Sequence, residues 1–283
     1  MNMKTNKNLL VKVINRISAY FKRPRLYQFI SKKEYKNLNK KDRFTSGQSI
    51  LNGSPVMYSD YLGFIHSTEE IFVDECYKFN SLNKNPLIID CGTNIGISII
   101  YFKTLYPDAK IIAFEPDTKI FSLLEKNLAR FNHIELHNTG VWIDDAFLNF
   151  YSEGSLAGSF VVDFENKTDI IKTPTLRLKS FLNQKVDFLK IDIEGTENDL
   201  MADLEPELKN VENIFLEYHS ITGLDQKLGE ILNILSRSGF RYYIKEATNI
   251  SNHPFLGIST TNFDMQLNIF GYRDHSSNPS KVY

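Results

Sequence analysis

The sequence predicts an α/β fold in which a mostly parallel sheet is covered by helices on both faces, a doubly wound arrangement. From residue 86 onward, apolar runs of strand length alternate with segments of helical period, and a glycine-rich turn follows the first run. Such alternation is typical of parallel strands joined by helical crossovers. Strands are predicted at 87–90, 110–114, 134–138, 186–191, 211–217, 240–246 and 265–271, and helices at 95–105, 117–131, 196–204 and 224–238.

Residues 1–43 form a basic amphipathic arm that contains 13 Lys or Arg and two acidic residues. Apolar residues recur at helical spacing from Leu9 to Phe21, which predicts a helical extension ending near Pro24. We favour docking of this helix on its own domain or on a second copy in a homo-oligomer; the alternative is an anionic membrane surface. The remainder of the chain is acidic and shows no recognisable nucleic-acid-reading module, so we expect no nucleic-acid partner.

Three further divisions follow the arm: a cap segment at 44–85 with a helix at Glu69–Phe79, a ligand-binding domain at 86–275, and a tail at 276–283. The two cysteines, Cys76 and Cys91, are too few for a disulfide framework. No apolar run reaches the roughly 18 residues that span a bilayer. We therefore expect a cytoplasmic protein, with the inner face of the membrane as the alternative location.

The first strand and its turn, Leu-Ile-Ile-Asp-Cys-Gly-Thr-Asn-Ile-Gly at 87–96, predict a ligand cradle. Glycines let the backbone approach a ligand, and the following helix offers free N–H groups. Glu115 ends the next strand, 19 residues after Gly96, where an acidic residue accepts hydrogen bonds from ribose hydroxyls. The cradle residues are therefore Asp90, Gly92, Asn94 and Gly96, with Glu115 and Pro116 at the ribose end.

The chemistry of this cradle favours S-adenosylmethionine as its ligand. A dinucleotide fingerprint has three glycines and binds a pyrophosphate, which a carboxylate at Asp90 would repel. The same carboxylate suits a ligand with an amino group and a sulfonium. Two alternatives remain open: an NAD(P)-dependent oxidoreductase, and a non-catalytic module recruited to a membrane or partner.

Residues after the later strands complete the predicted site, because ligands bind beyond the carboxyl ends of parallel strands. Val141 and Trp142 are placed to border an adenine. Asp192 follows a buried strand and is predicted to face the pocket as a cofactor-binding or catalytic residue. His219 is the leading candidate for a general base, since its unperturbed pKa lies near neutrality, and Asp192 is the other candidate. A divalent cation such as Mg²⁺ is a second possibility, with candidate ligands Asp192, Glu194, Glu217 and His219.

These motifs together resemble the FkbM-type family of S-adenosylmethionine-dependent methyltransferases. The resemblance covers about residues 65–272 and is carried by IIDCGTNIG at 88–96, FEP at 114–116, LKIDIEGTE at 189–197 and LEYH at 216–219. It implies a Rossmann-like class I methyltransferase fold with a seven-stranded sheet whose last strand is antiparallel. It also implies O-methylation, often of a sugar, a glycan or another hydroxyl of a natural product. One departure is Arg177, where the family often has aspartate after Thr-Leu.

Overall fold

The computed structural model describes residues 24–152, 158–160, 170–251, 253–256 and 262–274. Residues 1–23 of the predicted basic arm, which include its whole predicted helix, and the tail at 276–283 lie outside these residues. The described chain divides into two compact units between Lys78 and Phe79. None of its helices is both long and apolar enough to cross a membrane.

The first unit consists of short elements: helix α1 (Lys32–Leu38), strands β1 (Gly47–Leu51) and β2 (Ser54–Tyr58), and helix α2 (Tyr61–Thr68). The two strands pair antiparallel through an Asn52-Gly53 turn whose residues both have positive φ, as a tight hairpin requires. The predicted helix at Glu69–Phe79 is wrong. Helical structure begins at Tyr61 and ends in a π-helical turn at Glu69–Val73, and the positive φ of Glu75 excludes a continuing helix.

The second unit contains the predicted seven-stranded sheet. Its strands are β3 (Leu87–Cys91), β4 (Lys110–Phe114), β5 (Ile134–His137), β10 (Val186–Ile191), β11 (Val211–Ile221), β12 (Arg241–Thr248) and β13 (Phe263–Tyr272). Their spatial order is β12-β13-β11-β10-β3-β4-β5. The five neighbouring strands β11, β10, β3, β4 and β5 pair in parallel, whereas β13 is antiparallel to both of its neighbours, β11 and β12. The α/β fold and the antiparallel last strand are confirmed.

Helices connect successive parallel strands as the periodicity predicts: α3 (Ile97–Leu105), α4 (Thr118–Leu128), α5 (Glu197–Leu204) and α6 (Leu228–Arg237). Asp117 caps α4, since its side chain accepts hydrogen bonds from the N–H groups of Lys119 and Ile120. Apolar side chains of α5 and α6 pack with those of β3, β10 and β11 into one buried core. This core fixes the carboxyl ends of the three central strands relative to each other.

A second, four-stranded sheet was only partly predicted. It contains β6 (Gly140–Trp142), β7 (Ala146–Ser152), β8 (Gly158–Ser159) and β9 (Ile170–Arg177), in the order β6-β9-β7-β8. Short β-rich segments are predicted near 140–151 and 159–163, but β9 has no counterpart among the predicted strands; a proline such as Pro174 is unusual in a strand with neighbours on both sides. In the structure Pro174 pairs with Phe147 of β7.

Strand β11 is longer than predicted, which changes the setting of His219. The apolar pattern indicates an end at 217, but β11 continues to Ile221 because β13 pairs with it as far as Phe263. His219 therefore lies within the strand rather than after it, two residues beyond Glu217. Alternation along the strand points both side chains to one face, while Tyr218 packs into the core on the other.

We expect Leu189→Ala to lower the free energy of unfolding by about 2–5 kcal/mol, because a fully buried side chain of β10 is lost from the core. Leu82→Ala is the matched control, since Leu82 is 94% exposed and its loss should cost less than about 0.5 kcal/mol. Urea unfolding of both variants is the measurement. Equal losses would show that the core is not where the structure places it.

Candidate active site

The cradle lies between β3 and β10, where the strand order reverses, the usual ligand position in such sheets. Gly92 has a φ of 80°, and a Cβ there would lie 1.8 Å from the backbone carbonyl oxygen of Asp192. Gly96 has a φ of 90° and directly precedes α3. Glycine at 92 therefore allows the turn after β10 to press against the turn after β3.

Glu115 is joined to the cradle, as the sequence predicts. It directly follows β4, and its carboxylate accepts hydrogen bonds from the backbone N–H groups of Asn94 (2.8 Å) and Asp117 (2.9 Å). Burial raises the pKa of Glu115 to about 7, although these two N–H groups oppose the rise. A carboxylate has about four acceptor positions, so Glu115 retains capacity for further donors.

The Asp90 side chain is directed into the protein. Asp90 lies inside β3 rather than at its end and is 0% exposed. Its carboxylate accepts a hydrogen bond from the Ser98 hydroxyl (2.5 Å) and lies 3.4 Å from Nζ of Lys190. These partners hold the strand against the first turn of α3, and a direct contact of Asp90 with a ligand stays a prediction.

Lys190 is a central residue that sequence reasoning missed. Its Nζ donates hydrogen bonds to the carbonyl oxygens of Gly92 (2.9 Å) and Cys91 (3.3 Å) and lies 3.5 Å from the Asp192 carboxylate. Burial lowers the pKa of Lys190, but the carboxylates of Asp90 and Asp192 outweigh that effect and leave it above its ordinary value. The available signal was a lysine between two apolar residues, Leu189 and Ile191, in a fully buried strand.

The turn after β10 brings carboxylates to His219, and we call Asp192, Glu194, Glu217 and His219 together the acidic pocket. Asp192 directly follows the strand, as predicted, and its side chain is 27% exposed. His219 is 0% exposed, and its Nε2 lies 3.3 Å from Oε2 of Glu194 and 3.5 Å from Oε1 of Glu217. Three of the four predicted metal-ligand candidates, Asp192, Glu194 and His219, offer atoms within 4.8 Å of one another. Glu217 is not part of that set.

Glu197 holds His219 from the opposite side. Nδ1 of His219 lies 3.0 Å from Oε1 of Glu197, and both Glu197 oxygens accept from the backbone N–H of Gly195 at 3.0 Å. The sequence assigns Glu197 only to the start of a helix. Burial lowers the pKa of His219, but Glu194 and Glu197 outweigh it and raise that pKa well above the ordinary value.

Glu194 has an unfavourable backbone conformation, and its carboxylate lies near other carboxylates. Its φ of 57° is uncommon for a residue with a Cβ, and its carbonyl oxygen accepts a hydrogen bond from the Ser159 hydroxyl at 2.6 Å. Burial raises the pKa of Glu194 to about 8; the carboxylates of Asp192, Glu217 and Glu197 add to the rise, and His219 opposes it.

The two residues predicted to border an adenine, Val141 and Trp142, differ in burial. Val141 is buried in the core, whereas Trp142 is half-buried and pairs with Arg177 at the end of β6. The role of both residues toward an adenine stays a prediction. Asn138, which the sequence did not single out, donates to the carbonyl oxygens of Glu115 and Pro116 and so fixes the turn after β4.

The family model for the methyltransferase FkbM domain matches residues 90–242, more than half of the chain. The chain belongs to the FkbM methyltransferase family. The matched segment begins in β3 and ends in β12, so it contains both the cradle and the acidic pocket. It stops before β13.

Curated relatives agree with this membership. The chain is 30% identical over 181 residues to Methyltransferase 1 of Beauveria bassiana, covering 54% of this chain and 72% of that protein. It is 23% identical over 209 residues to the 31-O-demethyl-FK506 methyltransferase FkbM of Streptomyces tacrolimicus, covering 60% and 79%. It is 24% identical over 166 residues to the 2-O-methyltransferase NoeI of Sinorhizobium fredii, covering 52% and 66%.

In this FkbM-family methyltransferase we expect Lys190→Met to lower the free energy of unfolding by about 3–5 kcal/mol, because it leaves the Asp90 carboxylate buried without a cation. The double variant Lys190→Met with Asp90→Asn should recover part of that loss. Lys172→Met, on the exposed part of β9, is the control. A loss below about 1 kcal/mol in chemical denaturation would contradict the assigned role of Lys190.

Proposed function

We propose that this protein is an S-adenosylmethionine-dependent O-methyltransferase whose acceptor is a hydroxyl of a sugar, a glycan or a glycosylated natural product. The observation that carries the proposal is the junction of the two turns at Gly92 and Asp192. At this junction the turn after β3, which would bind the nucleoside, lies against the turn after β10, which carries the acidic pocket. Cofactor and acceptor can therefore be held next to each other, and alignment of two reactants alone supplies about 7–11 kcal/mol.

The residues of the cradle fit S-adenosylmethionine. Gly92 has a positive φ and no side chain where the turn meets the Asp192 carbonyl oxygen, and the buried Glu115 carboxylate has acceptor positions for ribose hydroxyls. Asn94 and Gly96 would line the amino-acid end, with Asp90 shaping the strand beneath them. When bound, S-adenosylmethionine supplies a methyl group activated by a positive sulfonium, and the acidic surroundings favour that charge.

On the acceptor side, exposure distinguishes the two candidates for the base. His219 is 0% exposed, whereas the Asp192 side chain is 27% exposed at the end of β10. Asp192 is therefore the group that can accept the hydrogen bond of an acceptor hydroxyl and take its proton. His219 is buried and its ring nitrogens face Glu194, Glu197 and Glu217, so we assign the base to Asp192.

Hydroxyl acceptors are supported by the names of two relatives, a 31-O-demethyl-FK506 methyltransferase and a 2-O-methyltransferase. The glycan part of the proposal rests on the family resemblance. A cytoplasmic location, and contact of residues 1–43 with a membrane surface or a second copy, belong to the same proposal.

The competing functions are separated by two experiments. Calorimetry with S-adenosylmethionine and with NAD should show binding of the first only; tight NAD binding alone would favour an oxidoreductase. Transfer of a labelled methyl group to glycan extracts should be detectable. Binding of S-adenosylmethionine with persistent absence of transfer would favour a non-catalytic module.

We expect the affinity for S-adenosylmethionine to fall as the pH falls through about 7, because Glu115 then gains a proton and loses its negative charge. Below that pH the loss should approach tenfold per pH unit. The groups that act on Glu115 are the Asn94 and Asp117 N–H groups, the Asp117 carboxylate and Lys190.

Calorimetry from pH 6 to pH 8.5 measures this dependence. Glu115→Gln should bind about 10–100-fold more weakly at pH 8, with a flatter profile, since hydrogen bonds to a charged group are lost. Glu125→Gln, at an exposed position of α4, is the matched control. An unchanged profile in Glu115→Gln would assign the pH dependence to another group.

We expect Asp192→Asn to lower kcat for methyl transfer by about 10²–10⁴-fold, because the amide cannot take the proton of the acceptor hydroxyl. Its affinity for S-adenosylmethionine should change far less. Single-turnover transfer of labelled methyl, measured beside cofactor binding, separates the two effects. Asp225→Asn, at an exposed position of the β11–α6 connection, is the control, and equal rates in both variants would remove Asp192 from the mechanism.

A further inference from the structure

The acidic pocket contains two buried atoms without hydrogen-bond partners. Nε2 of His219 and Oε2 of Glu194 are both buried, and neither makes a hydrogen bond among the described residues, although they lie 3.3 Å apart. Most buried polar atoms in folded proteins are hydrogen-bonded. The side chains of Glu194 and His219, together with that of Asp192, each offer one ligand atom, and these atoms lie within 4.8 Å of one another. This convergence of donors on one point indicates a bound ligand.

The ring of His219 is oriented as a metal-binding imidazole. Its Nδ1 lies 3.0 Å from Glu197, whose two oxygens are fixed by the N–H of Gly195. A carboxylate on the far ring nitrogen is the usual partner of a metal-ligating histidine, because it places the proton on that nitrogen and the lone pair on the other. Here a cation that displaces the proton of Nε2 would bind on the side of the ring that faces Glu194.

The charge of the pocket also calls for a cation. Asp192, Glu194 and Glu217 approach one imidazole from the open side, and Glu197 approaches it from behind. Lys190 contacts Asp192 but already binds Asp90 and two carbonyl oxygens. A divalent cation would compensate the mutual repulsion of the carboxylates that face the pocket.

We propose that Asp192, Glu194 and His219 bind one hard divalent cation, Mg²⁺ or Mn²⁺, with Nε2 of His219 as the nitrogen ligand. Two carboxylates select hard cations, and the single imidazole is compatible with Mn²⁺ as well. The Asp192 and Glu194 side chains are 27% and 17% exposed, so further coordination positions face solvent and can take water or an acceptor hydroxyl. Only this last role rests on the proposed methyltransferase function.

Binding of Mn²⁺ to the full chain tests the site without any activity assay. The decrease of the EPR signal of free Mn²⁺ measures this binding. We expect one Mn²⁺ per chain, displaced by excess Mg²⁺. Asp192→Asn and Glu194→Gln should each weaken binding by more than about tenfold, and Glu197→Gln by about 10–100-fold through the orientation of His219. Glu230→Gln, an exposed position on α6, should bind as the unaltered protein does. Circular dichroism confirms that each variant is folded.

Pulsed EPR of the Mn²⁺ complex gives a second readout, since an imidazole ligand produces a ¹⁴N coupling. Absence of that coupling, or Mn²⁺ binding unchanged in Asp192→Asn and Glu194→Gln, would overturn the site and leave His219 as a buried ion-pair partner. Binding of S-adenosylmethionine without binding of Mn²⁺ would refute the cation and keep the methyltransferase. Methyl transfer that survives exhaustive chelation would refute its role toward the acceptor.

Discussion

The ammonium group of Lys190 is the interaction on which both halves of the site depend. It lies between two parallel strands and binds the Asp90 carboxylate, two carbonyl oxygens of the cradle turn and the Asp192 carboxylate. A buried carboxylate and a buried ammonium each carry a large desolvation cost, which their pairing offsets only while both are present. The cradle and the acidic pocket are therefore held by one cation and cannot be shaped independently.

The sequence predicts best what depends on local pattern. The strands, the crossover helices and the cap at Asp117 follow from apolar period and turn chemistry, and Glu115 and Asp192 lie directly after their strands as expected. The sequence alone explains the glycine at 92 by the backbone conformation that a tight turn needs. Its second requirement, the approach of the Asp192 carbonyl, depends on a residue a hundred positions away and is not visible in a local pattern.

What sequence reasoning missed depends on long-range pairing. His219 was expected beyond a strand end, but β13 extends β11 past it, and the histidine becomes buried. Lys190 and Glu197 each have an ordinary local interpretation, as a strand residue and as a helix-start acid. Their contacts with the cradle and with His219 arise only when three segments meet. Strand β9 has no counterpart among the predicted elements, and it is held by pairing with β6 and β7, about 30 residues earlier in the chain.

The antiparallel direction of β13 has a consequence for where the chain tolerates changes of length. Since Ile221 of β11 pairs with Phe263 and Thr248 of β12 pairs with Gln266, the end of β12 and the start of β13 both lie at the edge of the sheet where the acidic pocket lies. Residues inserted or deleted between these two strands would leave the register of every strand unchanged. Such changes in length would therefore be confined to this one edge of the sheet.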